Sequence, residues 1–271
     1  RLQVETELRG AIANEEILIY YQPIIELSTG SVAGMEALCR WLHPESGLIS
    51  PGDFIPIAEE TGLIKELGNY VLKKSCKQIK IWMNDHATER PIFVSVNLSP
   101  LQMSDSSSSH EVKEIIENAG LPQNRLKIEC TESALMKNPE HAKIFFDDLK
   151  KLGCQLCIDD FGTGYSALEY LHRFPFDILK IDRHFISSMA HEDKDLRLVS
   201  GMVSLAHSLG LKVVAEGVER DIELHHLIEM NTDMVQGYYF AKPLTLIEAT
   251  SLLASGAKFP IKLLEKELST A

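Results

Sequence analysis

The sequence has no hydrophobic run approaching the ~20 residues that a membrane-spanning helix needs. It also has no initiator Met and no leader with a charged start and an apolar middle. Residues 1–13 read instead as a polar, charged helix, and the expectation is a domain cut from a longer chain. Cations are scarce: 27 Lys and Arg stand against 39 Asp and Glu, a formal net charge of -12. Binding polymeric DNA or RNA needs a surplus of Lys and Arg to displace counterions. That class is excluded, and no membrane contact is expected from the domain itself. An anionic ligand would need metal ions or one locally placed cation. Cysteine is sparse as well. The five residues Cys39, Cys76, Cys130, Cys154 and Cys157 are an odd number in a large chain, which argues against a disulfide framework. Cys154 and Cys157 form a CxxC pair inside an apolar, strand-like run. Residues three apart on a strand point to opposite faces, so buried thiols are expected rather than a redox or zinc pair.

What is present is apolar content and rhythm. With 271 residues and 45% hydrophobic content, the chain can bury one large core. Eight strand-like runs stand out, at about Ile17–Ile25, Val32–Leu38, Ile92–Asn97, Leu126–Cys130, Gln155–Asp160, Asp177–Ile181, Leu211–Glu216 and Asp233–Tyr238. From the third onward, a helical stretch separates each run from the next. Gly120, Gly153 and Gly210 each stand where a helix would stop before a strand. Leu196, Val199, Val203, Ala206 and Leu209 fall at helical spacing, as for a helix covering a sheet. Eight strands alternating with helices predict an α/β fold, a TIM-like (β/α)8 barrel. One feature departs from that pattern. Residues 26–31 between the first two runs are too few for a parallel crossover but fit a hairpin, so the first strand should run antiparallel to its neighbour. A long helical insert is expected from about Pro51 to His86, and Ser104–Ser109 as a short polar loop or helix start. The whole chain, 1–271, reads as one domain with its core at about 4–256.

Polar residues gather at the ends of the predicted strands: Glu36, Asn97, Glu129, Asp159, Asp160, Lys180, Glu216 and Gln236. In a barrel these ends converge on the face where active sites are built. Any one of them is as readily an ordinary strand-to-loop residue. Together, five carboxylates around one mouth would repel one another, and Lys180 supplies a single opposing charge. Divalent cations resolve the conflict. Carboxylates with the amide oxygen of Asn97 are hard donors suited to Mg²⁺ or Mn²⁺, and no zinc spacing is present. Asp159 and Asp160 would face opposite sides of a regular strand, but a break at Phe161-Gly162-Thr163-Gly164 would let both turn inward. Two hard metals in such a mouth suit in-line attack of water on a phosphodiester.

These residues fall into an ordered series of motifs: Tyr21-Gln22-Pro23-Ile24, Glu36-Ala37-Leu38 with Arg40-Trp41, Asn97-Leu98-Ser99, and Glu129-Cys130-Thr131-Glu132-Ser133. The series continues with Asp159-Asp160-Phe161-Gly162-Thr163-Gly164-Tyr165-Ser166, Leu179-Lys180-Ile181-Asp182, Ala215-Glu216-Gly217-Val218-Glu219 and Gln236-Gly237-Tyr238-Tyr239-Phe240. It resembles the EAL domain family over nearly the whole chain. The resemblance implies a phosphodiesterase that opens cyclic di-GMP to linear pGpG with two Mg²⁺ or Mn²⁺ ions. It implies Glu36, Asn97, Glu129, Asp159 and Asp160 as metal ligands, and Glu216 as a metal-site carboxylate or general base. Lys180 would orient the attacking water and stabilise charge on the phosphoryl group. Which carboxylate takes the proton stays open. Arg40 is a phosphate clamp candidate and Gln22 a base or phosphate contact. Leu38 either packs on the ligand or belongs to the core. Glu219 and Gln236 would complete the polar wall, and Glu132 would anchor the loop from Phe161 through Gly162, Thr163 and Gly164 that leads to a dimer contact.

A homodimer, a cytoplasmic location and regulatory domains outside this stretch are expected on the same ground. Cys130 and Lys242 depart from the family's usual residues without removing a ligand. Two rival classes remain: a receptor that holds cyclic di-GMP without cutting it, and an interaction scaffold that no longer uses nucleotide. The first should lack acidic positions or carry a broken glycine loop. The second should show no melting shift with metal plus cyclic di-GMP.

Overall fold

The computed structural model describes residues 2–85, 91–136, 138–162 and 171–261. After helix α1 (Leu2–Ala13) come strands β1 (Ile17–Glu26), β2 (Val32–His43) and β3 (Gly47–Ile49), then helices α2 (Pro51–Thr61) and α3 (Ile64–Asn84). The alternating part follows: β4 (Phe93–Asn97), α4 (Ser106–Ala119), β5 (Leu126–Thr131), α5 (Glu132–Met136), α6 (Pro139–Lys151) and β6 (Gln155–Phe161). It continues with β7 (Ile178–Ile181), α7 (Arg183–Met189), α8 (Asp193–Ser208), β8 (Lys212–Ala215), α9 (Asp221–Glu229), β9 (Met234–Val235) and α10 (Leu246–Ala254). Strands β2, β4, β5, β6, β7, β8 and β9 pair in parallel in that order, and β1 closes the ring between β9 and β2. Strand β1 is antiparallel to both neighbours, as the short 26–31 connection requires. The result is a closed eight-stranded barrel wrapped by helices.

Two strands differ from the expectation. β2 runs on to His43, because Gly47–Ile49 folds back against Trp41–His43 as the short strand β3. Trp41 anchors this extension. It is fully buried, its indole N–H donates to Glu16 Oε2 at 3.1 Å, and its ring packs edge-on against Phe54. β9 is only two residues long, because the chain beyond Val235 turns to bond the loop after β8. There Val218 N–H donates to Gln236 O at 3.1 Å, and Tyr239 N–H donates to Val218 O at 2.9 Å. The expected insert is two helices, divided at Gly62, whose left-handed backbone caps α2. Asp105 caps α4 by accepting from Ser108 N–H, which makes the serine tract a helix start.

Register decides which side chains enter the barrel. Ile24, Phe93, Cys157, Ile178, Val214 and Met234 face inward and form a small apolar plug. Gly34 makes room for it, since a Cβ there would lie 2.4 Å from the Phe93 ring. The larger core lies between the strands and the helices and includes Val94, Ile128, Leu156 and Leu179. Cys154 belongs to that outer core and Cys157 to the inner plug, on opposite faces as expected; both are buried free thiols. Among the described residues no helix is long and apolar enough to cross a membrane.

Candidate active site

Above the plug, at the C-terminal ends of the parallel strands, the inward positions turn polar. Gln22 and Glu36 are paired across β1 and β2, and Glu36, Ser95 and Lys127 lie in register on β2, β4 and β5. One residue-pair higher come Asn97 and Glu129. This alternation of faces is the period of a strand. It explains why residues far apart in sequence share one mouth.

At the centre is Lys180 on β7, with a side chain 1% exposed. Its ammonium lies 2.6 Å from Glu216 Oε1, 2.7 Å from Glu129 Oε2, 3.4 Å from Asp159 Oδ1 and 3.9 Å from Glu36 Oε2. Glu36 and Glu129 are held on both oxygens. Glu36 Oε1 accepts from Asn97 Nδ2 at 2.8 Å, and its Oε2 accepts from Gln236 Nε2 at 2.6 Å. Glu129 Oε2 accepts from Lys180, and its Oε1 accepts from the Ser95 hydroxyl. Gln236 Nε2 also donates to Gln22 Oε1 at 3.0 Å, and Gln22 Nε2 donates to Ala241 O at 3.0 Å. An amide chain thus ties the segment after β9 to the Glu36 carboxylate.

Asp160 takes a left-handed backbone, φ 54, and the β6–β7 register slips between Ile158 and Phe161. The break therefore falls on Asp160 itself, one residue before the expected Phe161. Gly162 follows with φ 98, and a Cβ there would meet Met202 Cε at 2.8 Å. Its left-handed backbone requires glycine at this turn, and the Met202 side chain packs into the space a Cβ would take. Phe161 is buried, whereas Thr163 and Gly164 lie outside the described residues.

The charge balance is visible in the acid strengths. Burial pushes Glu129 up to about 8 against the pull of Lys180, and Glu36 and Asp159 push it further. Burial raises Glu216 well above the usual carboxylate value, again against Lys180. Burial and then Asp159 raise Asp160. Burial alone would lower Lys180, but Asp159, Glu129, Glu216 and Glu36 outweigh it and hold its pKa well above the ordinary lysine value. One ammonium does not balance these acids. A further cation fits the donor set, which is all hard oxygen: four carboxylates on Lys180, Asp160 beside them, and the amide of Asn97. Among the described residues no three acidic, imidazole or thiol groups converge on a common point as a preformed metal cage. The carboxylates converge on Lys180 instead.

The other expected contacts lie outside this cluster. Tyr20, Leu38 and Arg40 share the inward face of β1 and β2 where these strands rise above the end of β4. The Arg40 guanidinium lies 5.6 Å from the centre of the Tyr20 ring and donates to Cys39 O at 2.8 Å. Leu38 is half-buried at the edge of an apolar cavity of ≈ 440 Å³ that also borders Asn97, Ile55 and Leu98. Glu132 is buried at the start of α5, directly behind β5. Glu219 is exposed; its backbone N–H donates to the buried Glu223 carboxylate, which also holds Arg220 and fixes the loop after β8. The sequence reading missed Ser95 and Tyr20. Both were within reach of strand parity, since Ser95 alternates with Phe93 and Asn97, and Tyr20 with Gln22.

Comparison with known proteins bears on this geometry. The family model for the EAL domain matches residues 5–243. The chain is 39% identical over 258 residues to the bifunctional diguanylate cyclase/cyclic di-GMP phosphodiesterase MucR of Pseudomonas aeruginosa, a match covering 95% of this chain and 37% of that protein. It is 42% identical over 246 residues to the cyclic di-GMP phosphodiesterase NbdA of the same organism, covering 90% of this chain and 31% of that protein. The chain spans about a third of the length of these curated relatives, 37% and 31%. A solved MucR phosphodiesterase structure in complex with c-di-GMP aligns with a TM-score of 0.85 and 37% identity, covering 91% of this chain and 99% of that one. Over nearly its whole length, this chain belongs to the EAL domain family.

Proposed function

We propose that the domain is a cyclic di-GMP phosphodiesterase that opens the cyclic dinucleotide to linear pGpG. The observation that carries the reading is the cluster of four carboxylates around one buried ammonium at the barrel mouth. Relatives named as cyclic di-GMP phosphodiesterases at about 40% identity, 42% for NbdA and 39% for MucR, support the substrate. Glu36, Asn97, Glu129, Asp159, Asp160 and Glu216 would hold two divalent cations, Mg²⁺ or Mn²⁺. When bound, such ions polarise a phosphoryl oxygen and lower the pKa of water.

The chain's own residues do the rest. Asn97 and Gln236 fix the direction of Glu36, and Lys180 places a positive charge where the phosphoryl group gains negative charge. Water adds its oxygen to phosphorus as one of its protons passes to a carboxylate, the bond from phosphorus to the 3′ oxygen breaks, and the departing 3′ oxygen takes up a proton from solvent. Glu216, with its side chain 19% exposed, is the most open of the four carboxylates on Lys180 and accepts the water's proton. Arg40, with Tyr20 and Leu38 on the overhanging ribbon, meets the dinucleotide from above the mouth. Gln22 and Gln236 act chiefly through Glu36. Glu132, behind β5, supports the turn that carries Phe161 and Gly162, and Glu219 stands at the outer rim. A homodimer, regulatory domains elsewhere in the protein and a cytoplasmic setting complete the reading.

The test is incubation with cyclic di-GMP and Mg²⁺ or Mn²⁺ beside a Glu36→Ala control, with products resolved by chromatography. Product from the parent and none from the control supports the reading. Binding without product in saturating Mn²⁺ makes the domain a receptor.

A further inference from the structure

Ser95 has no place in the roles given so far, and its surroundings give it one. It lies on β4, faces into the barrel and is completely buried. Its neighbours on the same face are Phe93 below, which belongs to the apolar plug, and Asn97 above, which bonds Glu36. A hydroxyl at such a position must find a partner or lose its hydration uncompensated. Its partner is Glu129 Oε1, one residue-pair up on the adjacent strand β5.

The consequence lies in how Glu129 is held. Lys180 takes Oε2, and Ser95 takes Oε1. With both oxygens claimed from different strands, the carboxylate plane is fixed. Glu36 is fixed in the same manner by Asn97 and Gln236. These two glutamates are the most deeply buried of the four on Lys180, at 1% and 8% side-chain exposure against 13% for Asp159 and 19% for Glu216. The floor of the site is therefore rigid, and Ser95 is the element of that floor donated from below.

We infer that Ser95 is a positioning residue for the cation site: its hydroxyl holds the Glu129 carboxylate in the orientation that a divalent ion requires. The inference rests on the proposed function, because it takes Glu129 as a ligand. Partners one bond removed from a metal ligand typically alter metal affinity about 10–100-fold when they are lost. Ser95→Ala removes the donor while leaving volume and backbone nearly unchanged, so it should weaken Mn²⁺ binding by about that factor. Ser95→Thr keeps a hydroxyl at the same point and should restore part of the affinity.

The experiment is calorimetric titration of the intact domain with Mn²⁺ alone, in the parent, Ser95→Ala, Ser95→Thr and Ser75→Ala. Ser75 is an equally buried serine on α3, and its hydroxyl bonds nothing among the described residues. Its loss controls for the general effect of removing a buried hydroxyl. Weaker Mn²⁺ binding in Ser95→Ala, partial recovery in Ser95→Thr and unchanged binding in Ser75→Ala support the inference. Parent-like affinity in Ser95→Ala overturns it while leaving the proposed function intact. Equal loss in Ser95→Ala and Ser75→Ala overturns it too, as a merely structural effect. A parent that binds no Mn²⁺ removes the cation site, and the proposed function and the inference fall together.

Discussion

Lys127 is a buried cation one layer below the Lys180 cluster, and replacing it should make the protein more stable. Its side chain enters the barrel from β5, is 4% exposed, and places its ammonium 3.4 Å from the centre of the Phe93 ring. Burial lowers its pKa from the ordinary 10.5 to about 8. At ~1.36 kcal/mol per pH unit, that gap costs roughly 3 kcal/mol when the amine is charged. The Phe93 ring returns about 0.5–2 kcal/mol of this. The net cost near neutral pH is about 1–3 kcal/mol. The sign of the pH dependence follows. The native pKa lies below the unfolded one, so the penalty is full below about pH 8. As pH rises from about 8 to about 10.5, the native state sheds its proton first, and stability climbs. Lys127→Met keeps the length of the chain and removes the charge. Urea unfolding near pH 7 should show the variant more stable by about 1–3 kcal/mol, and the advantage should shrink toward zero at about pH 10.5. A variant less stable than the parent, by the same margin at both pH values, would refute the reasoning.

Other perturbations test other parts of the structure. Lys180→Met strips the counter-charge from four carboxylates and should destabilise the metal-free domain by about 3–5 kcal/mol; added Mn²⁺ should recover a large part in a thermal melt, and an unchanged melting point without metal would contradict the geometry. Gly34→Ala sets a methyl against the Phe93 ring, so urea unfolding should show a loss of about 1–3 kcal/mol, relieved when Phe93→Leu is combined with it. Gln236→Leu removes the donor on Glu36 Oε2 and should lower turnover about 10–100-fold with a smaller effect on stability, read from kcat beside a melt.

Much of the architecture was legible because it depends on short-range rules. The 26–31 connection forced an antiparallel hairpin, and the run of polar strand ends at Glu36, Asn97, Glu129 and Asp159 follows from parity and topology. The Lys180 cluster was legible as a problem of charge, since one cation faced many acids. The extension of β2 to His43 was not legible. It depends on Trp41 meeting Glu16 and Phe54, contacts that no local pattern encodes. The collapse of β9 to two residues likewise depends on backbone bonds between Val218 and the Gln236–Tyr239 segment. In sequence Gln22 reads as a base or phosphate contact and Gln236 as part of the polar wall, and neither shows its protein partner, because an amide's partner is a tertiary fact; folded, Gln236 bonds both Gln22 and Glu36. Ser95 was overlooked because serine in an apolar strand carries no signal until the carboxylate above it is located.

The central claim is that water attacks phosphorus at a site centred on Lys180 and Glu36. It is tested most directly by running the reaction in water enriched in heavy oxygen, with cyclic di-GMP and Mn²⁺, and weighing the product. The account predicts pGpG with one heavy oxygen on its terminal phosphate, formed by the parent and absent with Glu36→Ala. Product without the label, or labelled product at the parent's rate from Glu36→Ala, would contradict it.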